Sequence, residues 1–387
     1  MAIPLKYNLR NLAVRRTTTA MTAFSITLTV TVFVVLMALA RGLQSSLTAT
    51  GHPLNLIVMR EGSQSETQSS VQRDALQTLR YLEGIAKNEK GEPRVSPELV
   101  VLINLPRRGQ GQGSNVTIRG LGPEGFALRR EFKLVEGREF KPGLREVIVS
   151  KRIAERFQSC GLGDKLKFAK GYWTVVGIFD AGNTAYASEI WTDAEDLGQD
   201  FDRDGYSSVF LRATDTAALD RLKKQVADDR RLHQKGLTEI EYYEKQTSTA
   251  GPIKFLGLFI AGLMAVGASF AAMNTMYAAV ARRTKEIGAL RVLGFSRGSI
   301  LLSFIIESVI IAAIGGFLGC VLALPINGVS TGTTNFTTFS ELAFSFRVTP
   351  ELLLQGMIFA VVMGFIGGLF PAWRAAHENI VTALRST

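Results

Sequence analysis

The sequence predicts an α-helical membrane protein with four transmembrane helices and a large extracytoplasmic α/β (or α+β) domain inserted between helices 1 and 2. Two observations predict this fold class: four long segments have almost no charge, and a long polar segment with strand-like stretches follows the first of them. A bilayer core requires about 20 consecutive apolar residues per helix. The apolar segments 17–40, 255–281, 300–327 and 352–373 meet this requirement, and only the third contains a charged residue, Glu307.

The basic residues predict how the chain crosses the membrane, because Lys and Arg concentrate in cytoplasmic loops. Residues 1–19 hold four basic residues and no acidic one, and 282–298 hold five against one, whereas 328–350 hold one of each. We therefore expect a multi-pass protein of the cell (inner) membrane with both termini cytoplasmic. Ala38-Leu39-Ala40 resembles a signal-peptidase site, but the apolar run is longer than that of a cleaved signal peptide.

These patterns divide the chain into segments, in order along the sequence. They are a cytoplasmic N-terminal segment 1–19, helix 1 at 20–41, the extracytoplasmic domain 42–251, helix 2 at 252–281, a cytoplasmic amphipathic segment 282–299, helix 3 at 300–327, an extracytoplasmic loop 328–350, helix 4 at 351–373 and a cytoplasmic tail 374–387.

The net charge of +10 could suggest a nucleic-acid partner, so its position in the chain matters. Residues 42–251 hold 30 Lys/Arg and 29 Asp/Glu, a net charge of +1, so the excess lies beside the membrane spans. This distribution indicates membrane topology and contact with the lipid bilayer. We expect no nucleic-acid partner.

The extracytoplasmic domain has the residue patterns of a mixed sheet. Val, Ile and aromatic residues predict strands, and the 3.6-residue period predicts helices. The predicted strands are 98–106, 114–121, 145–150, 172–180 and 207–214, and the predicted helices are 69–87 and a segment that begins after Thr214 or Asp215. The segment 62–70, GSQSETQSS, is polar and carries no strand or helix signal.

The sequence offers little to an enzyme. GLGPEG at 120–125 fits G-x-G-x-x-G, but no βαβ unit follows, so we expect a turn. DFDRDG at 200–205 copies the first half of an EF-hand loop but has Leu211 where the bidentate Glu belongs. No P-loop, serine elbow or zinc helix occurs. We predict a non-catalytic chain without a cofactor or metal of its own.

The apolar segments carry packing signals and two polar exceptions. Gly315 and Gly319, like Gly364 and Gly368, form G-x-x-x-G pairs that let helices approach closely in lipid. Asn274 and Glu307 are the polar residues of these segments that we assign to helix packing or coupling. Glu307 is expected to bond a neighbouring helix or Arg374, with proton or substrate handling as the alternative.

The segment RRTKEIGALRVLGFSRGSILLSFIIESVIIAAIGG, at 282–316, resembles a region of MacB/FtsX-type ABC transporter permeases. In that family an R-x-x-E-I-G…R-x-x-G pattern precedes a span with a Glu and a Gly pair. The residues that match are Glu286, Ile287, Gly288, Arg291, Gly294, Glu307, Gly315 and Gly316. GLGDKLKF and WTVVGIFDAG are similar to blocks of the MacB-type periplasmic core domain. The C-terminal FPAWRAAHENIVTALR is similar to the closing pattern, with Ile380 where Pro is usual.

The resemblance implies that the amphipathic segment 282–299 is a coupling helix that docks on an ATPase. The docking residues assigned on this basis are Arg283, Lys285, Glu286, Ile287, Leu290, Arg291, Leu293 and Gly294. The bland alternative is a surface helix that only turns the chain. The resemblance also implies an inserted subdomain, which we place near 111–205.

The family's partners follow from the same resemblance. They are two copies of a separate cytoplasmic P-loop ATPase, which would carry the ATP and Mg, and a second permease, as a homodimer or a heterodimer. A membrane-fusion adaptor and an outer-membrane exit duct stay open. The implied function is the permease subunit of a MacB-type exporter that transmits ATP-driven movement to its extracytoplasmic domain. The alternatives are a lipoprotein-releasing permease, an FtsX-like regulator that activates a cell-wall hydrolase, and a membrane-anchored ectoenzyme.

Overall fold

The computed structural model describes residues 10, 14, 16–109, 113–229, 231–247, 250–335 and 337–378. Two compact units make up the chain. The membrane unit comprises Met1–Arg41, Pro252–Val329 and Phe346–Thr387, and the sheet unit comprises Gly42–Gly251 and Ser330–Ser345. Most of the predicted segment 1–19, and the part of the predicted tail that contains Ile380, lie outside the described residues.

The helices and strands follow one another along the chain. They are α1 (Arg16–Thr48), β1 (Asn55–Arg60), α2 (Arg73–Arg80), β2 (Val95–Pro106), β3 (Gly113–Leu121), β4 (Lys133–Gly137), β5 (Glu146–Ser150), α3 (Lys151–Arg156), β6 (Lys165–Phe168), β7 (Gly171–Asp180), β8 (Glu189–Asp193), α4 (Ala194–Asp200), β9 (Ser208–Arg212), α5 (Thr216–Asp228), β10 (Gln234–Thr238), α6 (Glu239–Gln246), α7 (Ala250–Arg282), α8 (Thr284–Val292), α9 (Arg297–Ala323), β11 (Ser330–Thr334), β12 (Glu341–Ser345) and α10 (Pro350–His377).

The membrane unit is built from α1, α7, α9 and α10, the four described helices that are long and apolar enough to cross a membrane. The predicted fold class is confirmed in this respect. Local signals define the helix starts: the Ser296 hydroxyl accepts the Ser299 N–H before α9, and the Thr349 hydroxyl accepts the Leu352 N–H at the start of α10. Both contacts satisfy N–H groups that a helix start leaves unpaired.

One mixed sheet organises the sheet unit. Its strands lie in the order β10-β1-β9-β2-β3-β8-β5-β7-β4, and β6 pairs with β7. The pairs β3–β8 and β5–β7 are parallel, and the other neighbours are antiparallel. The mixed α/β domain predicted after the first span is therefore confirmed.

The sheet unit has two hydrophobic cores. One is formed by β1, β9 and the helices α2 and α5, with Leu56, Leu79 and Leu222 fully buried. The other uses residues between 99 and 201, including Phe157 and Trp173. The second core overlaps the predicted inserted subdomain at 111–205, but β2 and β3 run through the same continuous sheet. That subdomain boundary stays a prediction.

The predicted helix at 69–87 is too long. Helix α2 covers only Arg73–Arg80. Val71 instead forms a β-bridge with Tyr206, and Gly84 has a left-handed φ of 99°. The spacing of apolar residues that predicted the longer helix continues past Arg80, because Leu82 also packs against the core. In GLGPEG, the first two residues end β3 and the Gly125 N–H donates to the Gly122 carbonyl in a turn.

The loop predicted at 328–350 contains a hairpin, β11–β12, that belongs to the sheet unit. Glu341 at its second strand is buried and bonded by two cations, Arg107 at 2.7 Å and Arg156 at 2.5 Å. The Ser188 hydroxyl accepts the Ala343 N–H at 2.7 Å. The hairpin is therefore held by side chains of the large domain, a connection that the sequence analysis did not predict.

Candidate coupling site

Helix α8 is a short element set off by breaks at both ends. Arg283 alone separates it from α7 and has non-helical backbone angles, with φ −110° and ψ 12°. At the other end Gly294 has φ 92°, a left-handed conformation that glycine adopts without strain. The local sequence therefore places about two and a half helical turns between two membrane helices, followed by the Ser296 cap of α9.

One side of α8 is packed into the membrane unit. Ile287 is buried in a cluster formed with residues of α7, α9 and α10. Gly288 beside it is buried as well. The other buried members of the cluster are Met276, Val280, Ile300, Phe304, Ala372 and Ala375. This packing fixes α8 to three membrane helices.

An ion pair adds a polar attachment. Arg283 Nη1 lies 3.0 Å from Glu307 Oε2, and both side chains are about 5% exposed or less. Arg283 Nε also lies 3.2 Å from the exposed Glu286, and its guanidinium sits 5.5 Å from the centre of the Phe304 ring. Glu307 thus bonds across to the start of α8. The expected Arg374 instead lies over the Tyr277 ring.

The opposite side of α8 is exposed. Leu293 is 71% exposed and Val292 is 64% exposed, while Lys285 and Glu286 are exposed and Leu290 is half-buried. The docking assignment of Arg283 and Ile287 is corrected, because both side chains are buried within the membrane unit. Arg291 is half-buried and donates to the Phe295 carbonyl. For the other residues, docking stays a prediction, and Val292 joins them.

The glycines assigned to packing lie at close helix contacts. A Cβ atom on Gly315 would lie 2.7 Å from the Ala23 carbonyl oxygen of α1. On Gly364 it would lie 2.3 Å from Ala312 Cβ of α9. Such distances are shorter than van der Waals contact, so only glycine permits the observed approach. Cβ atoms on Gly316, Gly319 and Gly368 would meet a neighbouring helix at 2.5 to 2.7 Å.

Asn274 does not pack inside the chain. Its side chain is exposed on α7, so its assigned role in transmembrane packing or coupling would involve a surface outside this chain and stays a prediction. The pattern to which Asn274 belongs was not predicted from the sequence. Small residues and Asn274 recur at alternating spacings of four and three along one exposed side of α7, at Gly267, Ala271, Asn274 and Ala278. Small residues on one side of a membrane helix permit the close approach of another helix.

The sheet unit contains a buried cluster of charges that the sequence analysis also missed. Arg119 lies 2.7 Å from Glu66, 2.9 Å from Glu98 and 2.8 Å from Glu189. Arg129 lies 2.6 Å from Glu98. All five side chains are nearly inaccessible to solvent. The cluster ties β2, β3 and β8 to the 3₁₀ turn Glu66–Gln68 through charge-assisted hydrogen bonds.

Electrostatics differ between two carboxyls of this region. Burial disfavours ionisation of Glu66, but the Arg119 charge and hydrogen bonds from Arg119 and Ser208 outweigh it, so its pKa is lowered. Burial raises the pKa of Glu239, against hydrogen bonds from Tyr186, His52 and Asn55. The surroundings of Glu66 therefore favour its ionised form, whereas burial disfavours ionisation of Glu239.

The acidic motif DFDRDG is engaged in ion pairs. Asp200 is buried and accepts hydrogen bonds from Arg145 at 2.6 Å and from the Trp173 indole at 3.2 Å. Asp202 pairs with Lys170. Two of its carboxylates therefore have cationic side-chain partners.

Comparison with known proteins places both units. Residues 19–229 match the MacB-like periplasmic core domain, and residues 258–380 match the FtsX-like permease C-terminal region. The chain is 26% identical over 297 residues to the macrolide export ATP-binding/permease protein MacB of Neisseria gonorrhoeae, covering 69% of this chain and 43% of that protein. It therefore spans less than half the length of this curated relative.

A second relative is matched along nearly its full length. The chain is 23% identical over 375 residues to the ABC transporter permease YknZ of Bacillus subtilis, covering 91% of each. Among solved structures, the extracellular domain of YknZ matches with 16% identity and a TM-score of 0.36, covering 48% of this chain and all of that one. The periplasmic region of MacB from Actinobacillus actinomycetemcomitans matches with 14% identity and a TM-score of 0.37, covering 48% of this chain and 89% of that one.

With a family match that covers more than half of the chain, and a second match over the remaining membrane helices, this protein belongs to the MacB-like ABC transporter permeases with an FtsX-like C-terminal region.

Proposed function

We propose that this chain is the permease subunit of an ABC transporter that passes ATP-driven movement from a cytoplasmic ATPase to its extracytoplasmic sheet unit, and so drives export or extrusion of cargo. The observation that carries the proposal is the construction of α8. It is anchored by Ile287 and by the Arg283–Glu307 pair, and it exposes Val292 and Leu293. Exposed apolar side chains at the end of a helix that is packed against the membrane helices suit a docking element.

The ATPase would be a separate P-loop chain present in two copies, with ATP and Mg bound there. The match over 91% of YknZ, named as a permease, supports the same division of labour. The permease itself would be non-catalytic. Closure of the ATPases on ATP binding would displace α8, and the membrane helices packed against α8 would move together with it.

The orientation follows the basic residues. The five in segment 282–298 support a cytoplasmic position for α8, which would put the sheet unit outside. In a host with two membranes the chain would lie in the inner one. Cargo would then be engaged outside the membrane, where an adaptor and exit duct could receive it.

A second copy of this chain is the proposed membrane partner. The span that contains α7 is the least buried of the four candidate spans among the described residues. Its exposed side carries the small residues Gly267, Ala271 and Ala278, and Asn274 there could pair with an amide across the contact. Both features suit a symmetric α7–α7 contact.

The test is co-purification from native membranes. Tagged wild type, Leu293→Asp and the control Leu144→Asp, an exposed apolar residue of the sheet unit, would be extracted gently and analysed by mass spectrometry. We expect a P-loop ATPase with the wild type and the control, and depletion by at least tenfold from Leu293→Asp. A second, differently tagged copy should co-purify with all three.

The remaining partners in the same experiment choose the branch. An adaptor supports export, lipoprotein cargo supports a releasing permease, and a cell-wall hydrolase supports regulation. If the ATPase stays with Leu293→Asp at the wild-type level, the exposed tip of α8 is not the docking element.

A further inference from the structure

A groove of about 350 Å³ lies in the sheet unit beside its edge strand β10. Strands β1 and β10 form one side, α6 another, and the hairpin contributes Thr337. The polar segment 62–64 also lines the groove. The basic residues of the lining are Arg60, Lys235 and Lys245, and no carboxylate belongs to the lining among the described residues.

This excess of positive charge is local. Residues 42–251 hold 30 basic and 29 acidic residues, and the adjacent cavity, which shares Arg60, includes Asp74 and Asp229 in its lining. Both lysines of the groove are exposed. Glu241, one helical turn before Lys245 on α6, is already bound by Lys223 at 2.7 Å. The two exposed lysines give this part of the surface a positive charge, which attracts an anion.

The floor of the groove is apolar. Met59 and Leu237 are buried and lie on adjacent strands, and Met59 faces Lys235 directly across the pair. Cross-strand partners point to the same face of a sheet. The apolar surface and the Lys235 ammonium therefore meet in one groove, which suits a ligand with a charged end and an apolar part.

The walls of the groove are held in place by hydrogen bonds. The Tyr242 hydroxyl accepts the Glu66 N–H at 3.3 Å, and the Gln246 side-chain oxygen accepts from the Asn335 amide at 2.9 Å. A ligand would therefore enter a formed site and would order few protein groups on binding.

We propose that this groove binds an anionic amphiphile, with a phosphate or carboxylate group between Lys235 and Lys245 and an apolar stem on Met59 and Leu237. A lipid and an amphiphilic cargo molecule share this chemistry. The site goes beyond the proposed coupling function and does not depend on it, because binding requires neither nucleotide nor ATPase.

The experiment uses the full chain in phosphatidylcholine nanodiscs and isothermal titration calorimetry, without nucleotide. The probes are hexyl phosphate, inorganic phosphate and hexyltrimethylammonium. Lys235→Gln/Lys245→Gln is compared with Lys90→Gln/Lys224→Gln, which removes the same charge from exposed positions outside the groove.

We expect hexyl phosphate to bind at least tenfold more weakly to Lys235→Gln/Lys245→Gln than to the wild type, and within twofold of the wild type for the control. Inorganic phosphate should bind at least fivefold more weakly than hexyl phosphate, and hexyltrimethylammonium should not compete. Added salt should weaken binding because exposed charges are screened.

Three results would overturn the proposal. They are no binding of hexyl phosphate to the wild type, equal affinity for both double variants, and equal affinity for inorganic and hexyl phosphate, which would leave a simple anion site. Loss of binding here would leave the Leu293→Asp result unchanged, so the two failures are distinguishable.

Discussion

Breaking the Arg283–Glu307 pair should destabilise the membrane unit in a specific pattern. Both side chains are nearly inaccessible, and their charged atoms are 3.0 Å apart. Removing one partner of a buried pair costs about 3–5 kcal/mol, because the other charge stays buried without it. We expect Arg283→Met to cost about 3 kcal/mol, the lower end of that range.

Removing Glu307 and keeping Arg283 should cost less unfolding free energy. Glu307→Met leaves Arg283 with the exposed Glu286 at 3.2 Å, so we expect about 2 kcal/mol. The double variant removes both charges and replaces them with flexible apolar side chains. Such replacements are often neutral, so it should lie within about 1 kcal/mol of the wild type.

The assay is unfolding of the full chain in mixed micelles by sodium dodecyl sulfate, followed by circular dichroism. The difference between the double variant and the sum of the singles should be about 4 kcal/mol. If the two single effects simply add, within about 0.5 kcal/mol, the side chains do not interact and α8 is held by Ile287 and its neighbours alone.

Three further outcomes follow from the close contacts and buried carboxylates. Gly364→Ala should cost about 1–3 kcal/mol in the same assay, because its Cβ would meet Ala312, whereas Gly262→Ala, with open space around it, should be neutral. Glu66→Gln should cost about 2 kcal/mol at pH 7. Its folded pKa lies below 4.5, so urea unfolding should find this difference shrinking as pH falls below 4.5. Glu341→Gln should speed hydrogen exchange of the 330–345 backbone at least tenfold, because Arg107 and Arg156 lose their shared anion. Unchanged exchange would show that these ion pairs do not hold the hairpin.

Hydropathy and charge predicted the membrane helices well. Each helix that crosses a bilayer needs a minimum length and an apolar composition, and both can be read directly from the sequence. The five strands predicted from the sequence lie within three residues of the limits of β2, β3, β5, β7 and β9. The strands β1, β4, β6, β8 and β10 and the two hairpin strands were not predicted. Helix α2 was overextended because Leu82 continues its apolar period without continuing its backbone.

The errors at the candidate site have one physical origin. Arg283 belongs to a cluster of basic residues on an amphipathic segment, which indicates solvent exposure, yet its partner lies 24 residues further along the chain. Glu341 likewise finds Arg107 and Arg156 far away in sequence. Long-range ion pairs leave no periodicity, so composition cannot locate them. The sequence identified Asn274 as a polar residue of a span, but only the packing of the helices shows that its side chain is exposed.

The hairpin β11–β12 changes how many attachments the sheet unit has. Helices α1 and α7 are joined to the two ends of the segment 42–251, and α9 and α10 are joined to the two ends of the hairpin segment 330–345. Each of the four spans is therefore covalently connected to the sheet unit. The ion pairs of Glu341 with Arg107 and Arg156 hold the hairpin to the rest of the sheet unit, together with the Ser188–Ala343 hydrogen bond. If these ion pairs opened, the hairpin would stay covalently joined to α9 and α10 but would lose two of its attachments to the rest of the sheet unit.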